Sequence, residues 1–590
     1  MCGIVGYVGD RPAQAILLDC LRKLEYRGYD SCGIAVASDA IRVSKDAVRV
    51  DALAKAAPVI AGTTGIGHTR WATHGRPSQV NAHPHLDCSG RIAVVHNGVI
   101  SNYAALRAKL TAEGHRFVSE TDTEVMPHLV EKYYKGDLLA AVEAALAEVE
   151  GSYAFIVMAE DKPELVVARR DSPVIIGAGD RGNFVSSDVP ALLDYTNRVV
   201  YLEDGDVALV TAQRVRVRHS GSEVERKEQK VLWTVAEAQR GGYDHFMLKE
   251  IHEQPRVIRN TLAEYPRVTE LVADWPLMDA GPLLLACGTS YHAALVGRHV
   301  FEELAGTPTR VELASELNYY RRVAGRGLAI AITQSGETAD TLKAMRRVRD
   351  TGAWMIAVTN VVGSSASRIA NQTIYTNAGP EISVAATKSF TAQLVVLYML
   401  AMSAARVRPD ALAGLTAELR RLPTRVQQVL DDEATIAAQA HYLSEFDNVF
   451  YVARGLSLPV AMEGALKLKE ISYIHAEARS AGEMKHGPLA LLSARTPLVA
   501  IVERDATYEA MLTNIKEIKA RGAPVIAVAE EGDDTIGELV DAVIAVPRVE
   551  PLFSPVVNAV ALQLLAYHTA RERGCPIDFP RTLAKSVTVE

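Results

Sequence analysis

Pro282-Leu283-Leu284-Leu285-Ala286-Cys287-Gly288-Thr289-Ser290 decides the architecture of the larger part of this chain. Its apolar run is too short for a helix and has no polar alternation. That is how a strand buried on both faces of a parallel sheet reads. The glycine and hydroxyls that follow suit a tight turn opening a helix, whose first N–H groups are unpaired and attract anions. Leu328-Ala329-Ile330-Ala331-Ile332 and Trp354-Met355-Ile356-Ala357-Val358 repeat the strand, with helical spacing between them. Alternating strands and helices predict a doubly wound α/β domain.

The pattern then recurs. Residues 448–453, 497–502 and 524–528 match the three strands, and long helical stretches close the copies at 391–404 and 556–570. Two copies of one α/β domain in tandem are predicted, joined by a helical connector over 409–432. Upstream the pattern differs. Short β-rich runs at 4–8, 33–37, 92–95, 153–158 and 207–210 are bounded by Gly, Asp or Asn, which predicts an antiparallel α+β domain. Helical spacing marks 13–24 and 137–148. A polar stretch, 221–230, precedes a hinge-like Gln239-Arg240-Gly241-Gly242-Tyr243.

Bulk properties exclude several classes. The 590 residues leave room for about three or four domains. Hydrophobic content of 48% with 23% charged residues reads as globular, and a net charge of −8 argues against nucleic acid as the main partner. Six scattered cysteines without a CxxC pair fit a reducing cytoplasm. No apolar run approaches the roughly 18 residues of a membrane span, and no signal-peptide pattern opens the chain.

Chemistry concentrates at a few places. Gln334-Ser335-Gly336-Glu337-Thr338 follows the second strand of the first copy, as Cys287-Gly288-Thr289-Ser290 follows its first. One such loop would be an ordinary helix cap. Two at equivalent strand ends, with hydroxyls on Thr289, Ser290, Thr333, Ser335 and Thr338, predict a phosphate site. No Walker pattern is present, so a nucleoside triphosphate is not implied. The second copy lacks these loops, carrying Arg454-Gly455-Leu456-Ser457 and Glu503-Arg504-Asp505 instead. It offers Glu463-Gly464-Ala465-Leu466-Lys467-Leu468-Lys469-Glu470, where Lys467 and Glu470 share a helix face. His486 sits in the Gly/Pro-bounded loop that follows and is a candidate acid–base group. Lys585, in an apolar terminal stretch, is a candidate reactive amine. At the other end, removal of Met1 would give Cys2 a free α-amine beside its thiol, a nucleophile with its own base.

These motifs together resemble the family of isomerising glutamine–fructose-6-phosphate aminotransferases over essentially the whole chain. The N-terminal part is similar to class II, N-terminal-nucleophile glutamine amidotransferases through Cys2-Gly3-Ile4-Val5-Gly6, Glu25-Tyr26-Arg27-Gly28-Tyr29-Asp30-Ser31, His68-Thr69-Arg70-Trp71-Ala72-Thr73-His74-Gly75, Asn81-Ala82-His83-Pro84-His85, His96-Asn97-Gly98 and Ser119-Glu120-Thr121-Asp122-Thr123-Glu124. The two copies resemble sugar-isomerase domains. The resemblance implies a layered antiparallel glutaminase over 2–235, a linker over 236–275, a first sugar-isomerase domain over 276–425 and a second over 430–590 with its C-terminal tail.

It also implies roles. Cys2 attacks the glutamine amide, and Asn97 with the Gly98 N–H forms the oxyanion hole. Arg70 takes the substrate carboxylate and Asp122 its ammonium, with Trp71, Thr73, His74 and His83 around them. Fructose 6-phosphate falls to Thr289, Ser290, Thr333, Gln334, Ser335, Thr338 and Val384. Lys585 would form a Schiff base, Glu470 move the proton with help from Lys467, and His486 open the ring from the partner subunit of a homodimer. No cofactor is implied. The histidines invite a metal, but no Cys/His ligand spacing supports one, and none is expected. Thr333 and Ala386 stand where the family pattern has Ser. Two other readings compete: an amidotransferase serving a phosphoribosyl acceptor, against which the tandem Gly/Ser loops argue, and a sugar-phosphate sensor, for which Lys467, Glu470, His486 and Lys585 would be superfluous.

Overall fold

The computed structural model describes residues 2–72, 74–231, 233, 237, 239–273, 275, 281–321 and 327–587. The chain divides into two compact units. The first is Met1–Ala238 with the short stretches Glu337–Ala339 and Ala584–Glu590; the second is Gln239–Gly336 with Asp340–Leu583.

Among the described residues, the first unit is built on two antiparallel sheets, one of eight strands and one of seven. Alternation along the strands explains their stacking. In Ile92–Ile100, Ala93 and Val95 face Ile4, Ile66 and Val185 of the other sheet. Ile92 and Val94 face the opposite way, onto Leu129 and Val142 of the helices Val125–Tyr133 and Leu138–Leu146. Period-two side chains thus fill a core between the sheets and a second one under the helices. The helix Ala13–Arg22 covers the other sheet, its Leu17 and Leu21 packing over Gly65 and Gly67. The expected α+β layering is borne out. The polar 221–230 stretch supplies the strands Ser222–Val224 and Glu228–Lys230.

The second unit contains two five-stranded sheets, parallel throughout. In the first the strands run Arg310–Leu313, Leu283–Ala286, Leu328–Ile332, Trp354–Thr359, Gln372–Tyr375 across the sheet. In the second the order is His475–Ser480, Asn448–Ala453, Leu498–Val502, Val525–Glu530, Ala542–Val546. Both follow the order 2-1-3-4-5, so the tandem repeat is one of topology as well as of pattern. The central strands expected from the sequence are present. The less apolar edge strands, which periodicity does not mark, are added by the structure.

The segment expected as a linker, 236–275, departs from a simple tether. Within it Phe246–His252, Gln254–Leu262 and Tyr265–Ala273 are helices. Their Met247, Ile251, Ile258 and Val268 are buried in the core of the second unit, because apolar residues recur there at helical spacing. Lys388, itself buried, pairs with Glu253 at 2.7 Å.

Strand order 2-1-3 places a topological switch point between Leu283–Ala286 and Leu328–Ile332, where ligands bind in doubly wound sheets. One rim of this unit is held by Glu381. Its buried carboxylate accepts from the N–H groups of Thr387 and Ser389 at 3.0 Å and from Ser389 Oγ at 2.7 Å, closing the start of the helix Lys388–Ser403. Replacing Glu381 by Ala leaves buried donors unpaired and is expected to lower the stability of this unit by about 3 kcal/mol, measured by denaturant unfolding of the full chain.

Candidate functional site

The first unit brings the glutaminase residues together through strand register. Gly3 lies opposite Thr69 in the pairing of Gly3–Gly9 with Thr64–Arg70. Cys2 therefore meets the end of the second strand. There the Trp71 N–H donates to Cys2 Sγ at 3.1 Å, and the thiol faces the Trp71 carbonyl at 3.5 Å. The other sheet contributes Asn97, whose Nδ2 donates to the Cys2 carbonyl at 2.8 Å. Burial pushes the Cys2 thiol above its ordinary pKa, so the nucleophile needs a base and nearby donors.

Gly98 has a positive φ of 127°, and a Cβ there would lie 2.1 Å from the Ser152 carbonyl oxygen. Only glycine fits. The Arg70 guanidinium is buried. Its Nη2 donates to the carbonyls of His74 and Gly75, which shapes the loop, while Nη1 has no hydrogen-bond partner among the described residues. Asp122 accepts the Ile100 N–H at 2.8 Å through one oxygen; its other oxygen stands 4.0 Å from His74 Nδ1. A buried cation with a spare donor and a carboxylate with a spare oxygen can clamp an α-amino acid. Trp71 meets Tyr29 edge-on. Thr73 lies outside the described residues.

His83 is placed differently from a free pocket wall. It stacks on His68 at 4.0 Å, and its Nδ1 accepts the His96 N–H at 3.4 Å. His68 in turn bonds the His96 carbonyl, and His96 bonds Thr123. These rings brace the strand carrying Asn97 from behind.

In the second unit, Ser290 begins the helix Gly288–Ala305 and accepts from Gln393 Nε2 at 3.0 Å. Thr333, at the end of Leu328–Ile332, accepts the Gly336 N–H at 3.2 Å. Gln334 and Ser335 follow it, partly exposed. Val384 is buried, and its N–H donates to the Asp578 carbonyl.

Lys467 is not a solvated ion pair. It is buried on the helix Leu458–Ser472, 2.7 Å from Glu470 and 3.3 Å from Glu463, and donates to Thr289 Oγ1 at 3.1 Å. Burial opposes its charge, but the Glu463 and Glu470 carboxylates outweigh this and raise its pKa above the ordinary lysine value. Lys467 therefore stays an ammonium and orients Glu470. Glu463 is a further member of this group, with no role predicted from the sequence. Its carboxylate is 1% exposed and accepts from Thr289 Oγ1 at 3.0 Å and His292 at 2.8 Å, tying the second repeat to the first. The one available signal was its i,i+4 spacing to Lys467. Gln393 had none, since only packing brings it to Ser290.

His486 is exposed at the end of the turn Ala481–His486. Thr338 and Lys585 fall in the two short stretches grouped with the first unit, where both are half-buried.

A thiol at a strand start, facing a clamp for an amino acid, and tandem parallel sheets with hydroxyl-lined strand ends define a glutamine amidotransferase joined to sugar-isomerase domains. A glutamine amidotransferase domain model matches residues 68–194, and the SIS domain model matches 283–403 and 442–573. The glutamine–fructose-6-phosphate aminotransferase (isomerising) of Methanosarcina acetivorans is 49% identical over 620 residues, and that of Thermus thermophilus 49% over 605, each covering 100% of both chains. The C-terminal domain of glucosamine-fructose-6-phosphate aminotransferase from Francisella tularensis superposes with a TM-score of 0.55 at 37% identity, over 58% of this chain and 100% of that one. Tagatose-6-phosphate ketose/aldose isomerase from Escherichia coli, 19% identical with a TM-score of 0.50 over 57% of this chain and 95% of its own, shares the fold. The chain belongs to the glutamine–fructose-6-phosphate aminotransferase (isomerising) family.

Two outcomes follow from this geometry. Gly98→Ala is expected to cut glutamine hydrolysis by about 10²-fold or more, the size of a lost oxyanion donor, read by glutamate release. The second concerns pH. Burial holds His68 at about 3 and lowers His83, His85 and His96 below the ordinary imidazole value. Below about pH 6.5 the unfolded chain protonates these rings while the folded unit does not. The unfolded state then binds more protons, so stability is retained at neutral pH and lost as pH falls. Each such ring contributes about 1.4 kcal/mol per pH unit until its folded-state pKa is reached. Thermal unfolding followed from pH 7 to 4 checks this, and His68→Gln is expected to flatten the slope.

Proposed function

We propose that the chain transfers the amide nitrogen of glutamine to fructose 6-phosphate, giving glucosamine 6-phosphate and glutamate, the first step of amino-sugar biosynthesis. One observation carries the proposal. A single chain holds both a thiol beside a buried Arg–Asp clamp and a hydroxyl-lined switch point beside a Glu463–Lys467 pair that is buried and extends to Glu470.

With Met1 removed, the Cys2 α-amine takes the thiol proton and the thiolate attacks the glutamine amide carbon. The Trp71 N–H supports the charge on sulfur, and Asn97 and Gly98 stabilise the tetrahedral oxyanion. The amide nitrogen leaves as ammonia; water cleaves the thioester, releasing glutamate and restoring the thiol. Arg70 and Asp122 hold the substrate carboxylate and ammonium, with His74 and Trp71 at the pocket edge.

In the sugar half, Ser290, Thr333, Gln334, Ser335 and Thr338 hold the phosphate, with Thr289 and Val384 beside the sugar. Lys585 forms a Schiff base at C2 of the open ketose, opened by His486 of the partner subunit. Ammonia replaces the lysine, and Glu470 carries the proton from C1 to C2, leaving an aldehyde at C1 and an amine at C2. Lys467, an ammonium 2.7 Å from Glu470, keeps that carboxylate aimed. Ammonia passes internally between the two sites, in the cytoplasm.

Cys2→Ala is expected to abolish glutamine-dependent synthesis while sparing isomerisation of fructose 6-phosphate; synthesis from glutamine by that variant would overturn the role of Cys2. Intact-mass measurement checks removal of Met1. Borohydride with fructose 6-phosphate should leave a reduced adduct on Lys585, whereas saturable binding without adduct would mark a sensor. Chains carrying His486→Ala and Lys585→Ala, inactive alone, should recover about a quarter of the wild-type activity when mixed as random dimers. Failure to recover would place His486 in its own chain's site.

A further inference from the structure

The glutaminase chemistry leaves one cluster unused. Cys88 lies in the turn between the strands His85–Leu86 and Ile92–Ile100, His115 just beyond the helix Tyr103–Ala112, and His128 and Glu131 three residues apart on one face of Val125–Tyr133. These three elements send four donor atoms to one point. Cys88 Sγ is 3.7 Å from His115 Nδ1 and 3.5 Å from His128 Nδ1. Glu131 Oε2 is 2.9 Å from His115 Nδ1 and 3.5 Å from His128 Nδ1. All four atoms lie within 4.8 Å of one another.

Bonds of about 2.0–2.3 Å from zinc to nitrogen, oxygen and sulfur give tetrahedral edges of about 3.3–3.6 Å. The four separations straddle that range before any metal has drawn the ligands in. The surroundings also fit. The Arg116 N–H points at Cys88 Sγ at 3.4 Å, as a donor to a thiolate would. His128 is 1% exposed, and its other ring nitrogen faces the buried Glu124 carboxylate at 3.9 Å. A carboxylate behind a ligating imidazole fixes its tautomer and strengthens the ligand. Glu124 is itself fixed by the N–H groups of Val118 and Ser119.

We propose that Cys88, His115, His128 and Glu131 form a structural zinc site. One thiolate, two neutral imidazoles and a carboxylate suit Zn(II) among the common divalent ions. Four protein ligands close the coordination sphere, which marks a structural rather than a catalytic metal. Binding releases the Cys88 thiol proton to solvent. The ion staples the 87–90 turn and the 113–118 segment to the helix Val125–Tyr133. Asp122 lies between ligands 115 and 128, so the staple steadies the segment that carries the ammonium clamp. The sequence-based expectation of no metal is set aside here: ligands at 88, 115, 128 and 131 match no short Cys/His spacing, and only the fold converges them.

The test uses the full chain, stripped with a chelator under reducing conditions, reloaded with Zn(II) and desalted. The expected result is about one zinc per chain by elemental mass spectrometry. Against a chromophoric chelator, Cys88→Ser should bind zinc at least about tenfold more weakly, while Cys575→Ser binds as wild type. Co(II) in place of zinc should give a thiolate charge-transfer band and strong tetrahedral visible bands, both lost in Cys88→Ser. Far-UV circular dichroism of each variant confirms that it is folded; if Cys88→Ser does not fold, Glu131→Gln takes its place with the same expected loss. A wild-type chain that retains no zinc, or a folded Cys88→Ser that holds it as tightly as wild type, overturns the proposal.

Discussion

The buried carboxylate of Glu463 is the constraint around which the second unit is arranged. It sits on the helix Leu458–Ser472 and accepts from Thr289 and His292 of the helix Gly288–Ala305 while neighbouring Lys467. A charge out of water must be compensated by hydrogen bonds and a counter-ion, or it costs several kcal/mol. Here the compensation comes from both repeats at once. The two parallel sheets are each complete, but this network fixes one repeat against the other. It also delivers Lys467 and Glu470 of the second repeat to the strand end that the first repeat lines with hydroxyls. Duplication of one fold thus gives two different copies, with hydroxyl-bearing loops in one and a buried ionisable group in the other.

The glycines at the working edges show how little room that arrangement leaves. Gly336 has a φ of 68°, and a Cβ there would lie 2.2 Å from Ser364 Oγ. The loop after Thr333 can turn tightly over the strand end only because nothing projects. Gly98 in the first unit follows the same logic against the Ser152 carbonyl. In that unit antiparallel register does the positioning, since pairing Gly3 with Thr69 carries Cys2 to Trp71 and Arg70. Stacked, uncharged histidines then brace the neighbouring strand, and their burial couples its stability to pH.

Much of this was legible in the chain itself. Apolar runs with no alternation predicted parallel strands buried on both faces, and Leu283–Ala286 and Leu328–Ile332 are such strands. Short β-rich runs bounded by Gly, Asp or Asn predicted the antiparallel sheets. The spacing of Lys467 and Glu470 predicted a shared helix face, and they pair at 2.7 Å. Periodicity is a local property, and secondary structure and its buried faces follow from it. The edge strands were not legible because they are short and only half-buried. The helices within 236–275 were not legible because their apolar residues, though helically spaced, are few and diluted by charges.

What the sequence by itself determined is the order of elements, the duplication, the family and the residue types available for chemistry. What only the tertiary structure decided is which of those residues meet. Glu463 and Thr289 are separated by 174 positions, Cys2 and Asn97 by 95, and Cys88 and His128 by 40. No periodicity spans such gaps. The partners are chosen by sheet register and helix packing, which depend on the whole core. A lysine's charge state, a histidine's neutrality and a cluster of metal donors are consequences of burial and convergence, and neither exists until the chain has closed on itself.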